Sequence, residues 1–239
     1  MSEAFPGGVR DPEGRRGFVT IAPNRVAAVD LADGKLLWMK DEAGQPIGAT
    51  GEQLITIGHG KDGPVIRIID AASGGESKKI ADPGLPDWAG REALAGEALH
   101  IDATIENGEL RLAWKGGQPY RGGAAPTNGI IAESVAGTAG GVFVDLASGR
   151  ISQVPSGAEA AVPMAAPESP QDFATLAKSI PDAVAMSRVG DRIFVLRNAT
   201  LPGNALRIEI EARDARTGAV QWQTSLAEVN RGRPTPLRK

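Results

Sequence analysis

One short pattern, used twice, constrains this chain more than any other feature. "AVDLADGKLLW" spans Ala28–Trp38 and "ARDARTGAVQW" spans Ala212–Trp222. The pattern A-x-D-x-x-[DT]-G-x-x-x-W therefore occurs near both ends of a chain of 239 residues. Four identical offsets matched twice mark an internal repeat, and a repeat dictates architecture before any other feature is weighed.

The core of the pattern, D-x-x-[DST]-G, occurs four times: Asp30–Gly34, Asp70–Gly74, Asp145–Gly149 and Asp214–Gly218. Each copy follows an apolar, strand-like run: "RVAAV", "VIRII", "GVFV" and "LRIEIEA". Strand candidates such as "KLLWMK", "RISQV" and "AVQWQTSL" follow the turns. The unit reads as strand, tight turn, strand. The Asp accepts hydrogen bonds from turn N–H groups, and the Gly supplies the positive φ that a hairpin needs. A degenerate fifth copy lies in "ALHIDATIENGELRLAWKG", where Asn107-Gly108 is a hairpin signal between two alternating runs. In that stretch Trp114 alternates with Leu110 and Leu112 and is expected on a core-facing strand face.

Asp30 and Asp70 are 40 residues apart, Asp70 and Asp145 are 75 apart, and Asp145 and Asp214 are 69 apart. Units of about 40 residues with up to four short strands suggest an all-β propeller, here of about five four-stranded blades. The expected boundaries are a flexible segment over 1–16, one propeller domain over 17–229 and a flexible basic tail over 230–239. An insertion covers 156–182, with a short helix around Asp172–Ile180. The first unit reads as starting at its second strand, "GFVTIA", so pairing of N- and C-terminal strands would close the ring.

In both full copies the Trp sits four residues past the Gly, and the leading Ala leaves room for the ring. Ala28, Asp30, Gly34 and Trp38, with Ala212, Asp214, Gly218 and Trp222, resemble the tryptophan-docking motif of PQQ-like (quinoprotein-like) β-propellers. Asp70 with Gly74, and Asp145 with Gly149, resemble the same motif without the Trp. The resemblance implies that each Trp packs on the neighbouring blade as a staple. It implies little about function, because the family includes dehydrogenases, outer-membrane assembly scaffolds and kinase-linked sensors.

Composition narrows the functions. A net charge of −3 provides no field for nucleic acid or an anionic membrane surface. No apolar run is long enough to span a bilayer as a helix, and no secretion signal is visible. The chain has no cysteine, which removes disulfides and thiolate metal sites, and only two histidines, His59 and His100. Enzymes of the resembled family have eight blades, a vicinal Cys pair, a Ca²⁺ site and a catalytic Asp, so the missing cysteines argue against quinone chemistry. "GTAGG" at Gly137–Gly141 lacks a phosphate-loop Lys. His100 with Asp102 on one strand face reads as a structural pair, and "DLADGKLL" lacks the distal Glu of a Ca²⁺ loop.

No catalytic residue, cofactor or metal is therefore expected. Function falls to loops that break the repeat. Trp88 in "ADPGLPDWAGRE" and Tyr120 beside Arg121 in "KGGQPYRGGAAPTNG" are residue types that dominate protein interfaces. Phe173 opens a weakly amphipathic stretch in the insertion.

The expectation is a non-catalytic protein-binding or assembly scaffold, a subunit or accessory of a larger complex, membrane-associated complexes included. The alternative is a small-ligand or carbohydrate-binding propeller, or a degenerate quinoprotein enzyme. Partners would be other proteins, with no nucleic acid and no direct membrane insertion. Family resemblance implies a periplasmic or other cell-envelope location if the sequence was trimmed at Met1, and a cytoplasmic one if Met1 is native.

Overall fold

The structure, a computed structural model, describes residues 3–22, 24–85, 101–114, 140–153, 180, 182–202 and 205–230. These residues form strands and turns, and among them no helix is long and apolar enough to cross a membrane. The strands make four antiparallel sheets, each a meander of sequential neighbours. Sheet 1 contains β1 (Glu3–Phe5), β2 (Gly8–Arg10), β3 (Arg16–Ala22), β4 (Arg25–Asp30) and β5 (Leu36–Lys40). Sheet 2 contains β6 (Gln45–Ala49), β7 (Gln53–Gly60), β8 (Gly63–Asp70) and β9 (Glu76–Ala81). Sheet 3 contains β10 (Ile101–Glu106), β11 (Glu109–Trp114), β12 (Gly140–Asp145) and β13 (Ile151–Gln153). Sheet 4 contains β14 (Ala183–Val189), β15 (Arg192–Leu201), β16 (Ala205–Asp214) and β17 (Val220–Asn230).

The sheets pack face to face in the order 4-1-2-3. Phe194, Leu196, Ile210 and Ala212 of sheet 4 share a core with Val19, Ile21, Ala27 and Val29 of sheet 1. The other face of sheet 1, with Phe18, Val26 and Ala28, packs on Leu54 and Ile69 of sheet 2. Sheet 2 then presents Ile55, Ile57, Ile66 and Ile68 to Leu110, Leu112, Val142 and Val144 of sheet 3, where Trp114 joins as expected. Sheets 1 and 2 are covered on both faces. This explains near-continuous apolar strands such as "RVAAV" and "VIRII", because alternation appears only where one face meets water. At the two ends the sequence alternates instead: in β11 Glu109 and Arg111 lie on the face away from the core, and in β16 the carboxylates Glu209 and Glu211 are buried and paired with Arg207, Arg197 and Arg213.

The described residues bear on three expectations. Where about five units were expected, the described residues form four sheets, because the degenerate copy and the Asp145 copy are halves of one sheet. β11 pairs with β12 from Glu109↔Asp145 to Trp114↔Gly140, across residues 115–139. Among the described residues the first and last strands do not share a sheet: β1 pairs with β2, and β17 pairs with β16. Sheets 4 and 1 meet through apolar faces instead, where burial rather than backbone bonding holds them. Residues 3–5 and 8–10 are also strands rather than a flexible lead. Phe5 is 4% exposed against Phe194, with ring centroids 5.1 Å apart. The expected helix over Asp172–Ile180 and the basic tail after Asn230 lie outside the described residues, apart from buried Ile180.

Candidate functional site

The four repeated turns share one chemistry. In each, the Gly N–H donates to the Asp carbonyl four residues back, at 2.7–2.9 Å. Gly34, Gly74, Gly149 and Gly218 have φ between +71° and +78°, which an L side chain adopts only at a cost. In three copies a hydroxyl closes the turn: Ser73, Ser148 and Thr217 each donate both N–H and O–H to the Asp Oδ1. These bonds favour the ionised carboxyl. The Ser73 hydroxyl, then its N–H, holds Asp70 below the usual carboxylate range. The Ser148 N–H and hydroxyl do the same for Asp145, and those of Thr217 for Asp214. In the first copy Asp33 replaces the hydroxyl, and Asp30 Oδ1 accepts from Ala32 N–H at 2.8 Å.

Across each sheet a row of three residues leads from this turn to the next sheet. In sheet 1 the row is Phe18–Ala28–Trp38, and in sheet 4 it is Phe194–Ala212–Trp222. The small Ala on the middle strand lets two rings meet over it. Phe18 and Trp38 centroids are 5.9 Å apart, and those of Phe194 and Trp222 are 5.8 Å apart. A bulge after the turn, at Ala28/Val29 in sheet 1 and Ala212/Arg213 in sheet 4, sets each Trp opposite its Ala.

Each row ends on the neighbour's turn. A Cβ on Gly74 would lie 2.8 Å from Trp38 Cδ2, and the Trp38 indole N–H donates to the Ala71 carbonyl at 3.1 Å. A Cβ on Gly34 would lie 2.4 Å from Trp222 Cε3. There Thr224 Oγ1 donates to the Gly34 carbonyl, while the buried Trp222 indole N–H has no partner among the described residues. The matching acceptor, the Leu31 carbonyl, is already held by Arg192 Nη1 at 2.7 Å.

Sequence reasoning missed the third staple. Lys78 stands four residues past Gly74, the offset at which Trp38 and Trp222 stand, and lies opposite Ile68 across the same kind of bulge. Its ammonium donates to the Leu146 carbonyl at 3.3 Å and also to the Ala147 carbonyl, and its stem passes over Gly149. The offset was the only available signal, because the residue type changed.

Sheet 3 exchanges the large and small members of the row. Phe143 stands where Ala28 and Ala212 stand, Ser152 stands opposite it, and Arg111 lies over the Phe143 ring at 5.7 Å. Among the described residues its turn is followed by a regular register with no bulge.

The structure thus brings together the blade-motif residues Ala28, Trp38 and Gly74, and separately Ala212, Trp222 and Gly34. The partner-binding candidates Trp88, Tyr120, Arg121 and Phe173 lie outside the described residues, as does His100. His59 is exposed on β7. Among the described residues no three His, Cys, Asp or Glu side chains cluster as metal ligands.

No protein-family model and no curated protein matches the chain. Among solved structures it is similar to BamB from Moraxella catarrhalis, at 12% identity and a TM-score of 0.31, over 88% of this chain and 49% of that one. It is also similar to the quinohemoprotein alcohol dehydrogenase from Comamonas testosteroni, at 14% identity and a TM-score of 0.34, covering 89% of this chain and 34% of that one. A third is the quinohemoprotein alcohol dehydrogenase ADHIIG from Pseudomonas putida HK5, at 14% identity and a TM-score of 0.33, covering 89% and 33%. The chain spans about half the length of the first and a third of the others.

Proposed function

We propose that this protein is a PQQ-like propeller-type frame that acts as a non-catalytic binding or assembly scaffold for other proteins. The observation that carries the reading is where the repeat spends its reactive residues. The Asp70, Asp145 and Asp214 carboxylates accept hydrogen bonds within their own turns. Trp38, Trp222 and Lys78 end on neighbouring turns. The motif thus does framework work, and recognition is left to loops and end faces on a rigid support. Membership in a complex at the cell envelope belongs to the same proposal.

The test has two arms. The full chain, tagged in its source organism, is cross-linked and purified, and a defined stoichiometric protein complex is expected. In parallel, thermal unfolding is followed with pyrroloquinoline quinone plus Ca²⁺ and with a panel of sugars. The scaffold reading expects no shift. A ligand present at one hundred times its Kd stabilises by about 2.7 kcal/mol, and a shift of that size would transfer the reading to a small-ligand propeller or a quinoprotein enzyme.

A further inference from the structure

The stacking rule leaves two ends without a neighbour in the core. Each sheet has a leading face, which carries the row, and a trailing side, which carries the turn that receives the preceding row. Sheet 4 leads into sheet 1, sheet 1 into sheet 2, and sheet 2 into sheet 3. The leading face of sheet 3 and the receiving turn of sheet 4 belong to no shared core among the described residues. The cluster on that side of sheet 4, around Ile193 and Val195, draws its described members from residues 180–215 alone.

The receiving turn of sheet 4 is fully formed and, among the described residues, open. A Cβ on Gly34, Gly74 or Gly149 would meet the adjacent sheet's side chain within 2.4–3.3 Å, whereas one on Gly218 would meet no described atom within 4 Å. The residue after the Asp tells the same story. Leu31, Ala71 and Leu146 are buried, whereas Ala215 is only half-buried. Carbonyls of the first three accept an N–H from the preceding sheet, given by Arg192, Trp38 and Lys78 respectively. Val220, just beyond the open turn, is 48% exposed.

The leading face of sheet 3 carries what this turn lacks. Arg111 and Phe143 occupy the row positions, half-buried, and the buried Arg111 Nε has no hydrogen-bond partner among the described residues. A guanidinium stacked on a ring combines the apolar surface of Trp38 with the N–H donors of Lys78 and Arg192. Around it, Glu106 and Glu109 are exposed. The corresponding face of sheet 4 carries Arg188, Arg197, Arg207 and Arg213, of which Arg197 and Arg213 pair with buried Glu211 and Arg207 pairs with Glu228 and Glu209.

We propose that the Arg111–Phe143 face of sheet 3 in one copy docks on the open Asp214–Gly218 turn of sheet 4 in a second copy, making a head-to-tail homodimer. Two such contacts related by a two-fold axis close a ring of eight sheets, within the range that propellers adopt. The occupant is a second copy because the missing donor and the missing acceptor are the two ends of one repeating interface. The inference holds whether or not the frame also binds other proteins.

Light scattering on the purified chain gives the first readout, and twice the monomer mass is expected at about 100 µM. A monomer at that concentration overturns the proposal. The cysteine-free sequence permits a second readout. A Ser152→Cys, Arg216→Cys double variant treated with a short bis-maleimide should give a covalent dimer. A link formed only within one chain would show that the ring closes on itself, and it overturns the proposal. No link in a folded variant overturns it as well. Finally, Arg111→Gln should weaken association at least tenfold with an unchanged circular-dichroism spectrum. Unchanged association would remove the role assigned to Arg111 and overturn the docking geometry.

Discussion

Trp222 lies over Gly34 so closely that a single added Cβ would stand 2.4 Å from the indole. One residue belongs to the last sheet and the other to the first turn, and Thr224 adds a hydrogen bond to the same glycine. The pairing of a positive-φ glycine with a covering side chain recurs at Gly74 under Trp38 and at Gly149 under Lys78. Each glycine therefore meets two demands at once, a backbone conformation and a close approach.

These demands separate on substitution. In the single chain, measured well below the concentration at which the proposed dimer forms, Gly218→Ala meets only the backbone penalty and should cost about 1–2 kcal/mol. Gly34→Ala adds overpacking against the indole, for a total of about 2–5 kcal/mol. Denaturant unfolding of the two variants checks the order. Equal losses would mean that Trp222 does not cover Gly34.

Removal of a staple ring should cost less than a fully buried aromatic does. Trp38 and Trp222 are half-buried, so Trp38→Ala is expected to lose about 2–4 kcal/mol. A loss below about 1 kcal/mol would place the ring in solvent.

Lys78 offers the converse experiment. Its seat on Gly149 matches the seats of two tryptophans, so Lys78→Trp should fold and unfold at an equal or higher Tm. Lys78→Ala strips both carbonyls of their donor and should cost about 1 kcal/mol, the small value reflecting solvent access. A Lys78→Trp variant less stable than Lys78→Ala would contradict the shared geometry.

The turns predict an acid response. Asp70, Asp145 and Asp214 are held below their ordinary range by turn hydrogen bonds, so the folded chain binds their protons more weakly than the unfolded chain does. Their contribution is complete above the unfolded value of about 3.9 and is lost as the pH falls through the folded values. Ser148→Ala should therefore destabilise the chain at pH 7, and the difference should shrink as the pH drops below about 4. A difference independent of pH would mean that the hydroxyl does not act through Asp145.

The turns were legible in the sequence because their chemistry is local: Asp, a hydroxyl and Gly within five residues are enough to define them. The staples were half legible, since Trp38 and Trp222 repeat as residues whereas Lys78 repeats only as a position. Sheet 3 could not be assembled from sequence, because β11 and β12 pair across 25 intervening residues (115–139) and nothing local announces that partnership. The first hairpin, in "EAFPGGVR", is short and glycine-rich and reads as a loose end. Its strand character comes from Phe5 docking on a sheet distant in sequence. The Arg111–Phe143–Ser152 row was hidden because the large residue moved one strand over.

The account rests on side chains of one sheet seated on glycines of the next, and a double-mutant cycle between Trp222→Ala and Gly34→Ala measures this directly. With the indole gone, Gly34→Ala should cost only its backbone penalty, giving a coupling of about 1–3 kcal/mol between the two sites. Additivity within about 0.5 kcal/mol would contradict the account, because it would mean that the first and last sheets do not meet there.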